Sequence, residues 1–514
     1  MSAQLKPPQA GVTGSSLRDL RVVVIGAGMS GVLMGIQLKR AGINDFTIIE
    51  KGDKIGGTWR DNNYPGLHCD VHSFAYCYSF DPNPEWSQMY AGGPEIREYF
   101  ERMAVKYDIM PRIRFNAAVS EALWTGSKWR VSCDDGKIEM ANIVISATGI
   151  LHVPKYPDLP GLDTFRGACF HSARWNHNVP LDGKRIGVVG AGSTASQLTT
   201  ALVDRAKSFT LFSRTPHWVA NLMPNNYDPF SKESIEKLKR SPRRTKFYYD
   251  LTMLLWGVFT SGGVLRKSRI IRWLVERNVL QNLARVKDPE LRKKLTPSYA
   301  IGCKRLVLSP NFYESIQQPK ASYITERIER VVPEGVVTAD GKLHELDVLA
   351  LATGFDSSAF LGPIKMVGEG GHTIEQIWVD YPKAYHTLAV PHMPNFFMLQ
   401  GPYSPAGNLP FTAVSEWQSE YILKCLDRIR CSEKPIALAP MQEATDTLME
   451  KYRAEARNTV WSLQTGGCTS WYQGKDGVPI IYPFTSFQYK RELTTDPDFS
   501  EFNIQTLNQT EESR

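Results

Sequence analysis

The residues whose types and spacing point to chemistry are two sets of glycines and the charges that follow them. Gly26, Gly28 and Gly31 form G-x-G-x-x-G after an apolar run from Leu20, and a second apolar run ends at Glu50. In a strand–turn–helix context the first glycine allows the tight turn, the second lets backbone approach a pyrophosphate, and the third lets helix lie close on strand. Amide N–H groups at the helix start then face the phosphates. Glu50 at the strand tip can accept from both ribose hydroxyls, which predicts a dinucleotide without a 2′-phosphate, and FAD fits. Gly190, Gly192 and Ala195 repeat the pattern as G-x-G-x-x-A, with Ser193 and Thr194 opening the second helix. The same 24-residue count that reaches Glu50 from the first glycine here reaches Arg214. An acid at that tip repels a 2′-phosphate, whereas a guanidinium can clamp one and Thr215 adds a hydroxyl. The second turn therefore predicts NADP(H).

These turns need frames to hold them. At 514 residues the chain is too long for a single core, and each turn sits in a βαβ unit, so the reading is α/β with two Rossmann-like dinucleotide-binding domains, one for FAD and one for NADP. Small residues end an apolar strand at Ser146–Gly149 (SATG) and again at Ala352–Gly354. A proline-rich connector, HVPKYPDLPG, follows the first of them. The divisions drawn are 1–152 for the first part of the FAD domain, 153–349 for the NADP domain, and 350–514 for the rest of the FAD domain with a C-terminal pocket segment. SKWRVSC and KIEMANIVIS are expected to return to the first sheet. Gly92–Tyr107 and Glu416–Arg430 have helical spacing, and the stretch from about Thr494 is expected to be loosely held.

The NADP domain carries an insert at about 223–296 with a different character. Basic clusters, KRSPRRTK and RKSRIIR, flank LTMLLWGVFTSGGVL, which has 15 uncharged residues between Asp250 and Arg266. That is short of the roughly 20 apolar residues a membrane span needs. A helical insert with a buried helix is expected, membrane-surface contact being the alternative.

Composition bounds the rest. Hydrophobic content of 42%, charged content of 22% and a net charge of +7 describe an ordinary soluble enzyme that handles phosphates. No basic groove interleaved with aromatics argues for nucleic acid. Eight cysteines show neither a C-x-x-C pair nor metal-like spacing, so neither a disulfide framework nor a metal site is expected. With no apolar leader in the first residues, a reducing cytoplasmic setting follows. His68 and His72 are read as turn residues. Asp70, between them, reads locally as a turn aspartate, and Lys304–Arg305 as a solvated basic pair.

Between the two turns lies FRGACFHSARWN, with Phe165, Gly167, His171 and Trp175. These are hinge and docking parts, not a catalytic triad. F-x-G-x-x-x-H-x-x-x-W resembles the fingerprint of type I Baeyer–Villiger monooxygenases, although Asn176 stands where that family has Pro or Asp. The resemblance extends to GGTW (Gly57, Thr58, Trp59), to YPGLHCD, to the K-R segment, to GPYSP and to the pair Trp471–Tyr472; IIYPF departs from the commoner W-P-G. It implies that Asp70 lies near the flavin and orients a catalytic Arg305. It also implies that Lys304 joins the NADP phosphate site, that Tyr76 lies in the flavin site, that His171 and Trp175 couple domain docking to turnover, and that Trp471 and Tyr472 shape the substrate pocket. The implied reaction uses FAD, NADPH and O₂ to convert a ketone to an ester or lactone through a C4a-peroxyflavin, with NADP⁺ retained during turnover. Two alternatives stay open: a flavin monooxygenase oxidising amine or sulfide heteroatoms, and an FAD/NADP(H)-binding redox sensor without oxygenase activity. A disulfide reductase is disfavoured, because GGTW lacks the cysteine pair.

Overall fold

The computed structural model describes residues 18–221, 228–261, 268–405 and 409–507. Two five-stranded parallel sheets organise it. The first runs in the order Phe396–Met398, Ile143–Ser146, Val22–Ile25, Phe46–Ile49, Ile113–Arg114. VVVI at 22–25 and IVIS at 143–146 are wholly buried, as continuous apolar runs must be when both faces of a parallel sheet are covered, here by helices on one side and by the strands within 119–141 on the other. The second sheet runs Ala321–Ile324, Ser208–Phe212, Arg185–Val189, Val348–Leu351, Ala168–His171. Each builds its own apolar core, and both glycine turns emerge at the carboxyl ends of strands, where open α/β sheets bind ligands.

Phe396–Met398 pairs with Ile143–Ser146, so the chain does return to the first sheet after Gly354. Val348–Leu351 is still a strand of the second sheet, which moves the return crossing a few residues past 349. The helix expected at 92–107 spans Gly93–Lys106, and that expected at 416–430 starts earlier, at Phe411.

Three expectations are corrected. Of the stretch expected to return to the first sheet, Ile143–Ser146 does, but Trp129–Cys133 and Ile138–Ala141 do not: with Val119–Trp124 they form a separate antiparallel ladder, to which Lys365–Val367 adds a parallel edge strand. Tight turns make hairpins, and a hairpin cannot be inserted in an all-parallel ladder. The insert is helical, at Lys232–Lys239, Pro242–Phe259, Arg269–Leu283 and Pro289–Lys294, but Pro242–Phe259 is no buried helix: only Thr245, Tyr249 and Gly257 are covered. The C-terminal stretch is tied down as far as Thr506, because Phe502–Thr506 pairs with Ile436–Pro440 and buries Phe502.

Candidate active site

The strand Val22–Ile25 delivers the chain into the turn at Gly26, and the helix Met29–Arg40 opens from Gly28. A Cβ at Gly26 would lie 2.8 Å from the Ala147 carbonyl oxygen, and one at Gly31 only 1.8 Å from the Gly26 oxygen. In the second turn, a Cβ at Gly190 would meet the Ala352 oxygen at 2.3 Å, while Ala195 fits as it stands, buried. The middle glycines differ. Gly28 would meet only Gly57, at 3.6 Å, and Gly192 faces open space. Their smallness serves no packing within the protein; room for a pyrophosphate at a helix N-terminus accounts for it. Both turns thus fit a dinucleotide.

Glu50 is buried, and its carboxylate accepts the Ala27 N–H at 2.7 Å, the Gly52 N–H at 2.8 Å and Arg60 Nη1 at 2.7 Å. Burial opposes charge on Arg60, yet its bonds to Asp61 and Glu50 hold its pKa above the ordinary value. Arg60 escaped sequence reasoning because its link to Glu50 depends on how the chain folds back after the strand. Arg214 is the opposite case: it is exposed just past Ser208–Phe212, with Thr215 half-buried beside it. Neither Arg214 nor Lys304 forms a salt bridge among the described residues. Burial, and then Arg214, push the Lys304 ammonium pKa down. Two neighbouring cations of this kind suit a phosphate monoester. His217 belongs to the same corner and was missed. Burial and Lys304 lower its pKa to about 4, and its Nδ1 is buried with no hydrogen-bond partner among the described residues; its place three residues after Arg214 was the available signal.

Asp70 and Arg305 meet. Arg305 Nη2 donates to Asp70 Oδ1 at 2.7 Å across 235 residues of sequence, with both side chains partly buried. Burial works against the guanidinium, but Asp70 raises its pKa, so it stays charged at any working pH. Tyr472 is buried nearby, its hydroxyl pushed up to about 12 by burial against the lowering influence of Arg305. It therefore stands as a neutral donor. Trp471, its ring tilted against that of Tyr472 with centroids 4.5 Å apart, is exposed. Gly57 caps the short helix Thr58–Asp61, from which Trp59 Nε1 donates to the buried Tyr76 hydroxyl at 3.1 Å. His68 and His72 behave as turn residues, His68 Nδ1 bonding the Gly66 oxygen and His72 Nδ1 accepting the Phe74 N–H. No cluster able to hold a metal occurs among the described residues.

The fingerprint forms the edge strand Ala168–His171 and the turn after it. His171 is wholly buried. Its Nδ1 accepts the Ala173 N–H at 3.1 Å, which leaves Nε2 to donate to the Gly354 oxygen at 3.1 Å. Burial lowers its pKa, so the ring is neutral. At Gly354 the two crossings between sheets run side by side: Lys155 N–H bonds the Gly354 oxygen, and Asp356 N–H bonds the Val153 oxygen. His171 pins that junction. Trp175 packs on Phe170 in the second core, whereas Phe165 lies in a smaller cluster, against the place where a Gly167 Cβ would be. Asn176 Oδ1 accepts the Asn178 N–H, a turn an Asp would make equally well. A second joint had no sequence signal: Tyr64 of YPGLHCD bonds Gln197 at 2.7 Å and Thr194 at 3.2 Å on the opposite domain's helix.

A cavity of about 670 Å³ opens beside these residues, lined among others by Ile150, Phe360, Gln400, Ser404, Trp471 and Tyr472. Arg305 and Asp70 are not in its wall; Tyr472 is the link between the two. Gln400, just before the GPYSP loop, and Tyr403 within it hold positive φ while buried, a strained conformation kept by its surroundings. The rest of that stretch, Ala406–Asn408, lies outside the described residues. One cysteine pair contradicts the expectation of no disulfide. Cys303 is bonded to Cys468, which ties the K-R segment to the segment of Trp471 and Tyr472. With 165 residues between them, only the fold brings the two together.

Comparison with known proteins follows the same lines. A family model described as pyridine nucleotide-disulphide oxidoreductase matches residues 23–253. An uncharacterized monooxygenase of Mycobacterium tuberculosis is 44% identical over 92% of this chain and 94% of its own. A Baeyer–Villiger monooxygenase of Streptomyces coelicolor is 35% identical over 94% of this chain and 92% of its own. Among solved structures, cyclohexanone monooxygenase from Rhodococcus sp. Phi1 bound to NADP⁺ superposes with a TM-score of 0.83 at 28% identity, covering 96% of this chain and all of that one. A shared fold and this identity over nearly the whole length lead to one conclusion: the chain belongs to the Baeyer–Villiger monooxygenase family.

Proposed function

We propose that the protein is an NADPH- and O₂-dependent monooxygenase that converts a ketone to an ester or lactone, with Arg305 and Asp70 at its centre. The observation that carries this reading is the 2.7 Å contact between Arg305 and Asp70, which joins the K-R and YPGLHCD segments at one point. Bound FAD, reduced by NADPH, supplies the activation of O₂. The chain's own residues hold and shield. Gly26, Gly28, Gly31, Glu50, Gly57, Thr58, Trp59 and Tyr76 form the flavin side. Gly190, Gly192, Ser193, Thr194, Ala195, Arg214, Thr215 and Lys304 would form the NADP side, with Arg214, Thr215 and Lys304 holding the 2′-phosphate of a retained NADP⁺. Arg305 is a fixed cationic fork for the negative oxygen that builds up at the reacting carbonyl, and Asp70 keeps that fork oriented. Tyr472 donates from the wall between arginine and cavity, while Trp471 closes the outer side. The divisions near 152 and 354 separate bodies that dock through the His171 junction and the Tyr64–Gln197 contact. We take the cytoplasm as the compartment, resting it on six unpaired cysteines and weighing them above the one Cys303–Cys468 bond.

The test is a panel of cyclic and linear ketones, with NADPH consumption and ester followed together. Arg305→Ala should still consume NADPH, release hydrogen peroxide, and lose ester formation by about 10² to 10³, as the removal of one preorganised oxyanion donor does elsewhere. Ester at the wild-type rate from that variant would sink the assignment. Sulfoxide from a sulfide, with no ester from any ketone, would move the protein to heteroatom oxidation.

A further inference from the structure

The insert presents an apolar face to solvent. On the helix Pro242–Phe259, residues Phe247, Leu251, Leu254, Leu255 and Val258 follow one another at helical spacing and are all exposed, Leu254 by 52% and Leu255 by 59%. The other side of the helix is already used: Tyr249 lies in the first core and Gly257 against Ser486 and Phe487. Arg269–Leu283 repeats the arrangement over the second core. Its Val275, Val279 and Leu283 are buried, while Ile270 and Trp273 are exposed by 71% and 53%. Among the described residues, ten of the 22 exposed large apolar side chains fall between Phe247 and Leu280. Solvated surface does not concentrate apolar residues in this way without a partner.

Charge identifies the partner. Lys239–Arg285 contains eleven Lys and Arg against two Asp and Glu, a net of +9, where the whole chain has +7. The remainder is thus slightly acidic, and the basic excess sits on this segment. Arg243, Arg244 and Arg269 form no ion pair among the described residues. A second copy docking by the same face would set like charge on like charge. An anionic bilayer satisfies both features, taking the apolar stripes and an interfacial Trp at the headgroup boundary and the guanidinium groups at its phosphates. No described helix is long and apolar enough to cross a membrane, so the geometry is one of lying on the surface.

We propose that Pro242–Phe259 and Arg269–Leu283 dock the protein peripherally on anionic phospholipid bilayers. This stands apart from the reaction performed, since the two helices contribute no residue assigned to either dinucleotide turn or to Arg305.

The test is co-sedimentation of the FAD-loaded protein with phosphatidylcholine vesicles, with and without one third phosphatidylglycerol, at low and high salt. About tenfold more protein should sediment with the anionic vesicles at low salt, falling towards the neutral level at high salt. Leu254→Glu/Leu255→Glu and Arg243→Glu/Arg244→Glu should each lose about tenfold in binding while keeping flavin content and circular dichroism, because these side chains face solvent. Equal sedimentation with both lipids, or binding that survives both double variants, overturns the proposal. So does a concentration-dependent dimer in light scattering that Leu254→Glu/Leu255→Glu dissolves while vesicles are ignored, which would assign the face to self-association.

Discussion

The two glycine turns share one backbone design and finish it in opposite ways. Each is a parallel strand, a tight turn and a helix whose middle glycine leaves room the protein itself does not fill. At the first, the strand-tip residue is a buried acid with three donors already on it. At the second it is an exposed arginine beside a lysine whose charge is disfavoured by burial. The difference shows how one motif serves two tasks. The first rim is a buried acid whose carboxylate already holds three donors and keeps room for another, while the second is open charge that would attract a phosphate and be completed by it.

The contrast can be broken first at the third glycine. Gly31→Ala would place a methyl group 1.8 Å from the Gly26 oxygen. The first βαβ unit must then shift, and we expect a loss above about 3 kcal/mol, read as little folded yellow protein. Ala195→Gly, the reverse change in the second turn, should cost less than about 1 kcal/mol by thermal melt. Equal effects at the two positions would mean that the turns are not built as differently as their packing indicates.

Arg214→Ala probes the open rim. Losing one charged hydrogen-bonding partner is worth about 1.5 to 3 kcal/mol, so kcat/KM for NADPH should fall tenfold or more while that for NADH hardly moves. Flavin content should be unchanged. If NADH falls in parallel, Arg214 holds the site's shape and not the 2′-phosphate.

A half-buried acid in the first domain sharpens the comparison through pH. Glu416 accepts the Ser79 N–H at 2.6 Å, and burial raises its pKa from 4.5 to about 7. The folded state then binds a proton that the unfolded state has released, so this group's contribution is full below pH 4.5 and is lost as pH rises towards 7. Glu416→Gln should keep the hydrogen bond and remove the loss, stabilising the protein at pH 8 by about 1 to 3 kcal/mol. Chemical denaturation at pH 5 and pH 8 checks it; a gain at pH 5 as large as at pH 8 would exclude the titration.

Why some of this could be read from the chain and some could not follows from range. Gly26, Gly31, Glu50 and Arg214 act through neighbours at fixed short spacing, and their types state their geometry. The meeting of Arg305 with Asp70 was available only through resemblance, since a KR pair and a turn aspartate are each unremarkable alone. Tyr64 with Gln197 and Cys303 with Cys468 depend wholly on how two domains dock. The insert shows a subtler limit. Its apolar run was visible, but periodicity reports that a face is apolar, not whether protein covers it, so Pro242–Phe259 was expected buried and lies half in solvent.

The smallest effect concerns what connects the two regions. His171 makes two bonds with separable purposes: Nδ1 accepts the Ala173 N–H within its own turn, and Nε2 reaches the Gly354 oxygen at the crossing between the sheets. Replacing it by Ala removes both, whereas His171→Asn places a side-chain oxygen where Nδ1 was and removes only the second. If the crossing bond couples domain docking to turnover, the two variants should behave alike, each lowering the share of NADPH recovered as ester by a few-fold, in line with about 1 kcal/mol for one hydrogen bond. Flavin content and melting temperature should separate them, Asn keeping more of both. The ring is buried and neutral, with its pKa lowered from 6.5, so protonation opposes this arrangement. Its contribution is complete above pH 6.5 and is lost as pH falls, and the wild type should therefore become less coupled towards pH 5 while His171→Asn shows a flatter profile. Should His171→Asn couple as well as the wild type at every pH, the fingerprint histidine is a local cap and the junction at Gly354 is held by its backbone pairing alone.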